Sequence, residues 1–153
     1  MTFDLDFYTA YNQFYICDKD FSGDTGSENF WTDTAFDSRL AVQSGVLGVG
    51  TECYGPVKGM LTILESVNTD LNIDKFDHIV EGSLEIKSGR LQVLDCPDST
   101  VILETALEIG IYKVRVYSSN LASVDGDEGD DRYLIEIWPD SNRERKVLKR
   151  YER

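Results

Sequence analysis

The chain has 153 residues, 41% of them hydrophobic, including seven Phe, eight Tyr and two Trp. That apolar content is too high for a disordered chain, and the length suits one domain spanning 1–153 with a sizeable core. A formal net charge of −13 argues against nucleic acid or an anionic membrane surface as partner.

Taken in order, Phe3 to Tyr8 alternates loosely and Asn12 to Cys17 reads as a strand. Asp18 to Asn29 is polar, carries Gly23 and Gly26, and reads as a loop. Thr32 or Asp33 is placed to N-cap a short helix running toward Val42, with Ala35, Phe36 and Leu40 on its core face. The glycines of Gly45-Val-Leu-Gly-Val-Gly-Thr51 predict a short strand with close packing or a bulge. Tyr54-Gly55-Pro56 makes a turn, and Lys58 to Val67 and Phe76 to Ile86 read as strands. Ser88-Gly89 leading into Arg90 to Leu94 predicts a hairpin. Pro97-Asp98 turns the chain again before Val101 to Glu104.

The most informative stretch is Ile109 to Pro139. Ile111, Lys113, Arg115 and Tyr117 alternate with Tyr112, Val114 and Val116, and Tyr133, Ile135 and Ile137 alternate with Leu134, Glu136 and Trp138. A period of two puts one set on each face of a sheet, and β-branched and aromatic residues suit it. Between the two strands, Asp125-Gly126-Asp127-Glu128-Gly129-Asp130-Asp131 packs five carboxylates into seven residues, with two glycines to help it turn. The remaining segment, 142–153, is a basic tail whose pattern fits a strand or a short helix equally. Eight or nine short strands with one short helix predict an all-β fold, an antiparallel β-sandwich or partly closed barrel.

The charge is uneven. Six basic residues against Glu144 and Glu152 give the tail +4, so the other 141 residues carry −17. Such a body suits a basic protein or a cation, although acidity by itself often serves only solubility. No apolar run is long enough to span a membrane, and Met1-Thr2-Phe3-Asp4-Leu5-Asp6 lacks the parts of a signal peptide, which predicts a cytoplasmic protein. Cys17, Cys53 and Cys96 are odd in number and far apart, the pattern of buried free thiols rather than of a disulfide or zinc framework.

Each candidate site has a plainer reading beside it. Asp125, Asp127 and Glu136 occupy the first, third and twelfth places of a calcium-loop spacing, but Asp130 stands where that loop needs glycine and the flanks read as strands. A calcium-binding β-sandwich interaction module is therefore the second reading, and no metal ligands or other cofactor are assigned. The same loop can imitate the charge row of nucleic acid before a basic cleft. Asp20 and Asp24, with Asp18 and Glu28, form a second acidic loop, and Asp95 and Asp98 a third cluster. Three loops at one end of the fold would form a single negative surface; three unrelated solvated loops are the alternative. His78, the sole histidine, shows no partner in sequence, and no nucleophile, phosphate-loop or metalloprotease motif occurs. The chain reads as a non-enzyme. Trp31 and Trp138 read as packing residues, and Tyr8 and Tyr11 as surface aromatics suited to an interface.

Two parts of the chain also carry a resemblance. Tyr11-Asn-Gln-Phe-Tyr-Ile-Cys17, Phe30-Trp31-Thr32-Asp33-Thr34-Ala35 and Gly45-Val-Leu-Gly-Val49 resemble the competence protein J family, over roughly the first third of the chain. That family's founding role is inhibition of a nuclease of DNA uptake. Tyr112 to Leu121, Gly129 to Tyr133 and Ile137-Trp-Pro139 resemble small bacterial proteins that accompany secreted toxins as immunity proteins. The acidic loop and basic tail are the departure, a long C-terminal extension on the family pattern. The resemblance implies an inhibitor whose partner is a basic nuclease or toxin protein, and it transfers no binding residue. On charge, the residues expected to meet that partner are Asp125, Asp127, Glu128, Asp130 and Asp131, with Asp20 and Asp24 second.

Overall fold

A computed structural model describes residues 1–152; Arg153, the last residue of the basic tail, lies outside the described residues. The strands are β1 (Thr2–Tyr8), β2 (Gln13–Asp18), β3 (Leu40–Gln43), β4 (Val46–Gly50), β5 (Pro56–Ile63), β6 (His78–Ile86), β7 (Arg90–Leu94), β8 (Val101–Ala106), β9 (Gly110–Ser119), β10 (Arg132–Pro139) and β11 (Lys146–Lys149). Among the described residues the one α-helix is α1 (Asp33–Ser38), and Ile73–Lys75 and Leu121–Ser123 form short 3-10 turns. A six-stranded sheet in the order β1-β5-β10-β9-β6-β11 packs on a five-stranded sheet in the order β3-β4-β2-β7-β8. This is a two-sheet all-β fold with one short helix, and it does not close into a barrel.

The alternation seen in the central hairpin sets the core. Tyr112, Val114 and Val116 of β9, with Tyr133, Ile135 and Ile137 of β10, point between the sheets. They meet Phe14 and Ile16 of β2, Leu47 and Val49 of β4, and Leu91 and Val93 of β7. β9 and β10 pair antiparallel from Arg132↔Ser119 to Pro139↔Tyr112, as their sequence predicts. A second apolar cluster covers the outer face of the small sheet, where Phe30 and Ala35 of the 19–38 segment pack on Tyr15, Cys17, Ala41 and Val46. Gly48 of β4 makes this possible, because a Cβ there would lie 2.9 Å from both Phe30 and Trp31. The expected close packing at these glycines is thereby located.

The outer face of the large sheet is covered differently. Lys113, Arg115, Tyr117, Glu136 and Trp138 point away from the core yet are buried. Arg115 pairs with Glu81 at 2.9 Å, donates to the Tyr117 hydroxyl at 2.9 Å, and lies 4.7 Å over the Trp138 ring. It also donates to the Asn68 carbonyl, which binds the 64–77 connection to this face. The charged and hydroxyl groups around Arg115 satisfy one another, which is what makes a charged outer layer tolerable, while Ser83 Oγ on the same face has no hydrogen-bond partner among the described residues.

Three sequence expectations change, and one open reading is decided. One pair, β5 and β10, runs parallel, with Gly59 opposite Tyr133, so the sandwich is not wholly antiparallel. Ser88-Gly89 does not close a hairpin: β6 pairs with β9 and β11, whereas β7 pairs with β2 and β8, so the turn carries the chain from one sheet to the other. The helix starts at its predicted N-cap, where the Thr32 side chain accepts from the Ala35 N–H, but stops at Arg39 in a left-handed conformation. Leu40 reaches the core from β3 instead, and Phe36 faces solvent at 64% exposure. The basic tail resolves as strand β11 on the edge of the large sheet, antiparallel to β6.

Candidate functional site

The ends of the sandwich separate the acidic loops. The 125–131 loop joins the last residue of β9, Ser119, to the first of β10, Arg132. β6 pairs with β9 from His78↔Ser118 to Ile86↔Gly110, so the Ser88-Gly89 turn lies at the other end. Asp18 is tied to that far end, its Oδ1 accepting from the Ser88 N–H at 3.1 Å and the Ser88 hydroxyl at 2.5 Å. Asp20 and Asp24 follow it there, exposed, with Asp20 sharing a hollow with Lys87 and Arg143. The third cluster does fall at the near end: Tyr54 N–H donates to the Gly126 carbonyl, Thr9 N–H to Gly55, and Cys96 N–H to the Thr9 hydroxyl. Exposed Asp98 lies two residues beyond Cys96.

Within the central loop, Asp125, Asp127, Glu128 and Asp130 are exposed. Asp125 and Glu128 exchange backbone hydrogen bonds of 2.7 and 3.1 Å around Gly126, whose φ of +64° suits a residue without a Cβ. The Asp130 N–H donates to Ser123 Oγ and its carbonyl accepts from Asn120, so the loop is held rather than loose. Asp131 differs from the other four. It is 5% exposed, and its Oδ2 accepts from the Tyr133 hydroxyl at 2.7 Å and the Cys53 N–H at 3.3 Å. Tyr133 in turn accepts from the Glu52 N–H at 2.8 Å. Burial, with Asp131 adding to it, drives the Tyr133 hydroxyl pKa upward, so it stays protonated as a donor. Asp131 therefore anchors the loop to the 51–55 segment. Lys58 and Arg132 line the hollow beneath the loop together with Asp127, Glu128 and Asp130.

The calcium-like spacing is not a ligand set. Glu136 is in β10 with its side chain on the outer face, accepting from the Tyr117 hydroxyl at 2.5 Å and from Asn68 at 3.2 Å. Among the described residues, no group of three or more His, Cys, Asp or Glu side chains is arranged to hold a metal ion. His78 is buried and structural: its Nε2 donates to the Ser38 carbonyl at 2.7 Å, and its Nδ1 accepts from the Tyr151 N–H at 3.0 Å. Burial lowers its pKa, aided by nearby Arg39 and Arg150. The three cysteines are buried free thiols, and burial pushes Cys17 up to about 12, far from a reactive thiolate.

The feature that sequence reading largely missed sits beside the acidic loop. A groove of about 640 Å³ opens between Tyr11 and Tyr54 on one side and Trp31 and Phe36 on another, with Arg39 on its wall and Gly126 of the acidic loop at its rim. Tyr11 meets Tyr54 edge to face at 6.2 Å, and Trp31 lies 5.2 Å from Phe36. The Gln13 side-chain oxygen accepts from both Trp31 Nε1 at 2.8 Å and the Tyr15 hydroxyl at 2.9 Å, which fixes the indole. Tyr8, 76% exposed, stands at the neighbouring hollow beneath the loop. Tyr8 and Tyr11 were legible as surface aromatics; Tyr54, Phe36 and Trp31 were not, since the groove joins them to Tyr11 from three separate segments.

Fold and surface together define a small two-sheet β protein whose prominent near-end features are an aromatic groove and an acidic rim. Among solved structures, this architecture is shared by ComJ from Bacillus subtilis, an inhibitor of the DNA degrading activity of NucA, with a TM-score of 0.68. The match covers 91% of this chain and 98% of ComJ at 16% identity. A second, Crocagin biosynthetic gene J, matches with a TM-score of 0.56 and 15% identity, covering 91% of this chain and 97% of that one. No protein-family model and no curated protein matches the sequence. The 9% of 153 residues left uncovered by the ComJ match, about 14, is too short to contain residues 109–153, so that stretch as a whole is not an extension outside the shared fold.

Proposed function

We propose that this protein is a non-catalytic inhibitor of a DNA-degrading nuclease, acting in the cytoplasm by covering the nuclease's cationic nucleic-acid groove. The observation that carries the reading is the architecture shared with ComJ over 91% of the chain. Supporting it are four exposed carboxylates at the tip of one held loop, Asp125, Asp127, Glu128 and Asp130. Carboxylates ordered before binding complement a basic cleft and raise the rate of encounter. Asp131 serves as the loop's anchor in this reading. Asp20 and Asp24, at the far end, add to the overall field without touching the partner.

The test is a titration of the purified protein into NucA degrading plasmid DNA. Inhibition that saturates near one inhibitor per nuclease and weakens with added salt is expected. Undiminished degradation at a large excess of inhibitor in low salt would sink the proposal. The calcium-module alternative is not favoured, because Glu136 is engaged on another face.

A further inference from the structure

Five non-glycine residues among those described have positive φ: Tyr11, Asn12, Arg39, Ser99 and Asn120. Three of them, Tyr11, Asn12 and Arg39, line the aromatic groove. Tyr11 and Asn12 (φ 58° and 57°) occupy the two centres of the turn bridged by Ala10 and Gln13, positions where glycine or asparagine is preferred. A bulky aromatic there is strained, yet the residue is 60% exposed and gains little burial in return. Arg39 takes the left-handed C-cap of α1, usually a glycine position, and its guanidinium pairs with Glu52 at 3.0 Å. Strain at a largely exposed aromatic, whose ring meets that of Tyr54 edge to face, points to a binding role.

From this we infer that the groove is the anchoring pocket for a cationic side chain, arginine in particular, presented by the basic partner protein. The inference rests on the nuclease-inhibitor reading and specifies which surface holds the complex. The chemistry is complementary on both counts. Aromatic faces attract a guanidinium by stacking and cation–π contact, and prefer it to an ammonium. Exposed Asp127 and Glu128 lie on the loop whose Gly126 lines the groove, so a cation entering the groove arrives beside exposed carboxylates. The walls are also fixed in advance: Gln13 holds Trp31, and Asn12 Nδ2 donates to the Glu52 carbonyl at 3.1 Å. Fixed aromatic anchors surrounded by polar groups are the usual composition of an interface hot spot.

The strain supplies a variant that separates binding from folding. Tyr11→Gly relieves the left-handed backbone, so its Tm is expected to equal or exceed that of the parent. Added hexa-arginine peptide is expected to shift the Trp31 indole N–H resonance and the Tyr11 and Tyr54 ring resonances of the parent protein. Hexa-lysine should do so less, Tyr11→Gly combined with Tyr54→Ser should abolish the shifts, and Asp20→Asn combined with Asp24→Asn should leave them unchanged. In the NucA assay the two-tyrosine variant should inhibit about 30-fold more weakly, the scale of losing a hot spot. Shifts spread along all acidic loops, equal for both peptides and indifferent to the tyrosines, overturn the inference, as does the absence of any shift. If the parent inhibits NucA and the tyrosine variant inhibits equally well, the groove is overturned and the inhibitor reading stands. If the parent leaves NucA active, the inhibitor reading falls and the peptide result alone decides the groove.

Discussion

The two ends of the sandwich carry similar charge and differ in almost everything else. Each has an acidic loop, and in each loop one aspartate turns inward as an anchor: Asp18 onto Ser88 at the far end, Asp131 onto Tyr133 and Cys53 at the near end. At the far end the exposed carboxylate Asp20 shares its hollow with Lys87 and Arg143, and Arg143 pairs with Glu85 at 3.3 Å. At the near end the exposed carboxylates sit beside an aromatic groove whose turn residues hold left-handed backbone conformations. Negative charge is common to both ends and so does not by itself tell them apart; exposed aromatics on a strained, pre-set frame are what distinguish one end from the other.

The comparison is broken most forcefully at the anchors. Asp131→Ala leaves the buried Tyr133 hydroxyl and Cys53 N–H without an acceptor and should cost about 2 kcal/mol in urea unfolding. Asp18→Ala, whose partner Ser88 is only part-buried, should cost less; equal losses would show that the two anchors are equivalent. Next in size is the effect of tip charge. Replacing Asp125, Asp127, Glu128 and Asp130 by their amides should slow association with NucA about tenfold at low salt, an effect that shrinks as salt is added. The matching change of Asp20 and Asp24 should alter the rate less than twofold, and stopped-flow kinetics at two salt concentrations would expose any reversal.

A smaller effect is expected at the edge strand β11. His78 accepts the Tyr151 N–H on Nδ1, so protonation would set two donors against each other. Its folded-state pKa lies below the ordinary value of about 6.5, and the unfolded chain therefore binds the proton more readily. The stabilisation is complete above that ordinary value and is lost as pH falls toward the lowered folded-state pKa. The protection of the Tyr151 amide, its exchange rate corrected for the intrinsic pH dependence, should fall between neutral and mildly acidic pH while that of β9 does not; a parallel loss in both would contradict a local role. The smallest effect is expected from calcium: calorimetric titration should give no heat attributable to the 125–131 loop, and saturable heat lost in an Asp125→Asn, Asp127→Asn variant would reverse that conclusion.

Much of the fold was legible because its causes are local. The β9–β10 alternation, the Thr32 cap and the turn glycines follow from neighbouring residues alone. The parallel β5–β10 pair and the sheet switch at Ser88-Gly89 were not, because strand partnership depends on contacts far apart in sequence. Phe36 misled for a related reason: helical spacing put it on the core face, but the helix ends at Arg39 and the ring meets Trp31 at the surface. Asp131 reads in sequence as one more loop carboxylate, and only the packing of Tyr133 beneath it makes it an anchor.

The sequence by itself determined most of the strands, the capped start of the helix and the sign and quantity of the charge, since each depends on side-chain identity at short spacing; β3 and β11 were exceptions. Tertiary structure decided where that charge lies and what stands next to it. It placed Asp20 and Asp24 away from Asp127, and brought Tyr11, Trp31 and Tyr54 from three segments to one groove. The reason is physical: which loops share an end is set by the sheet each strand joins, and that choice is made by core packing between residues distant in the chain.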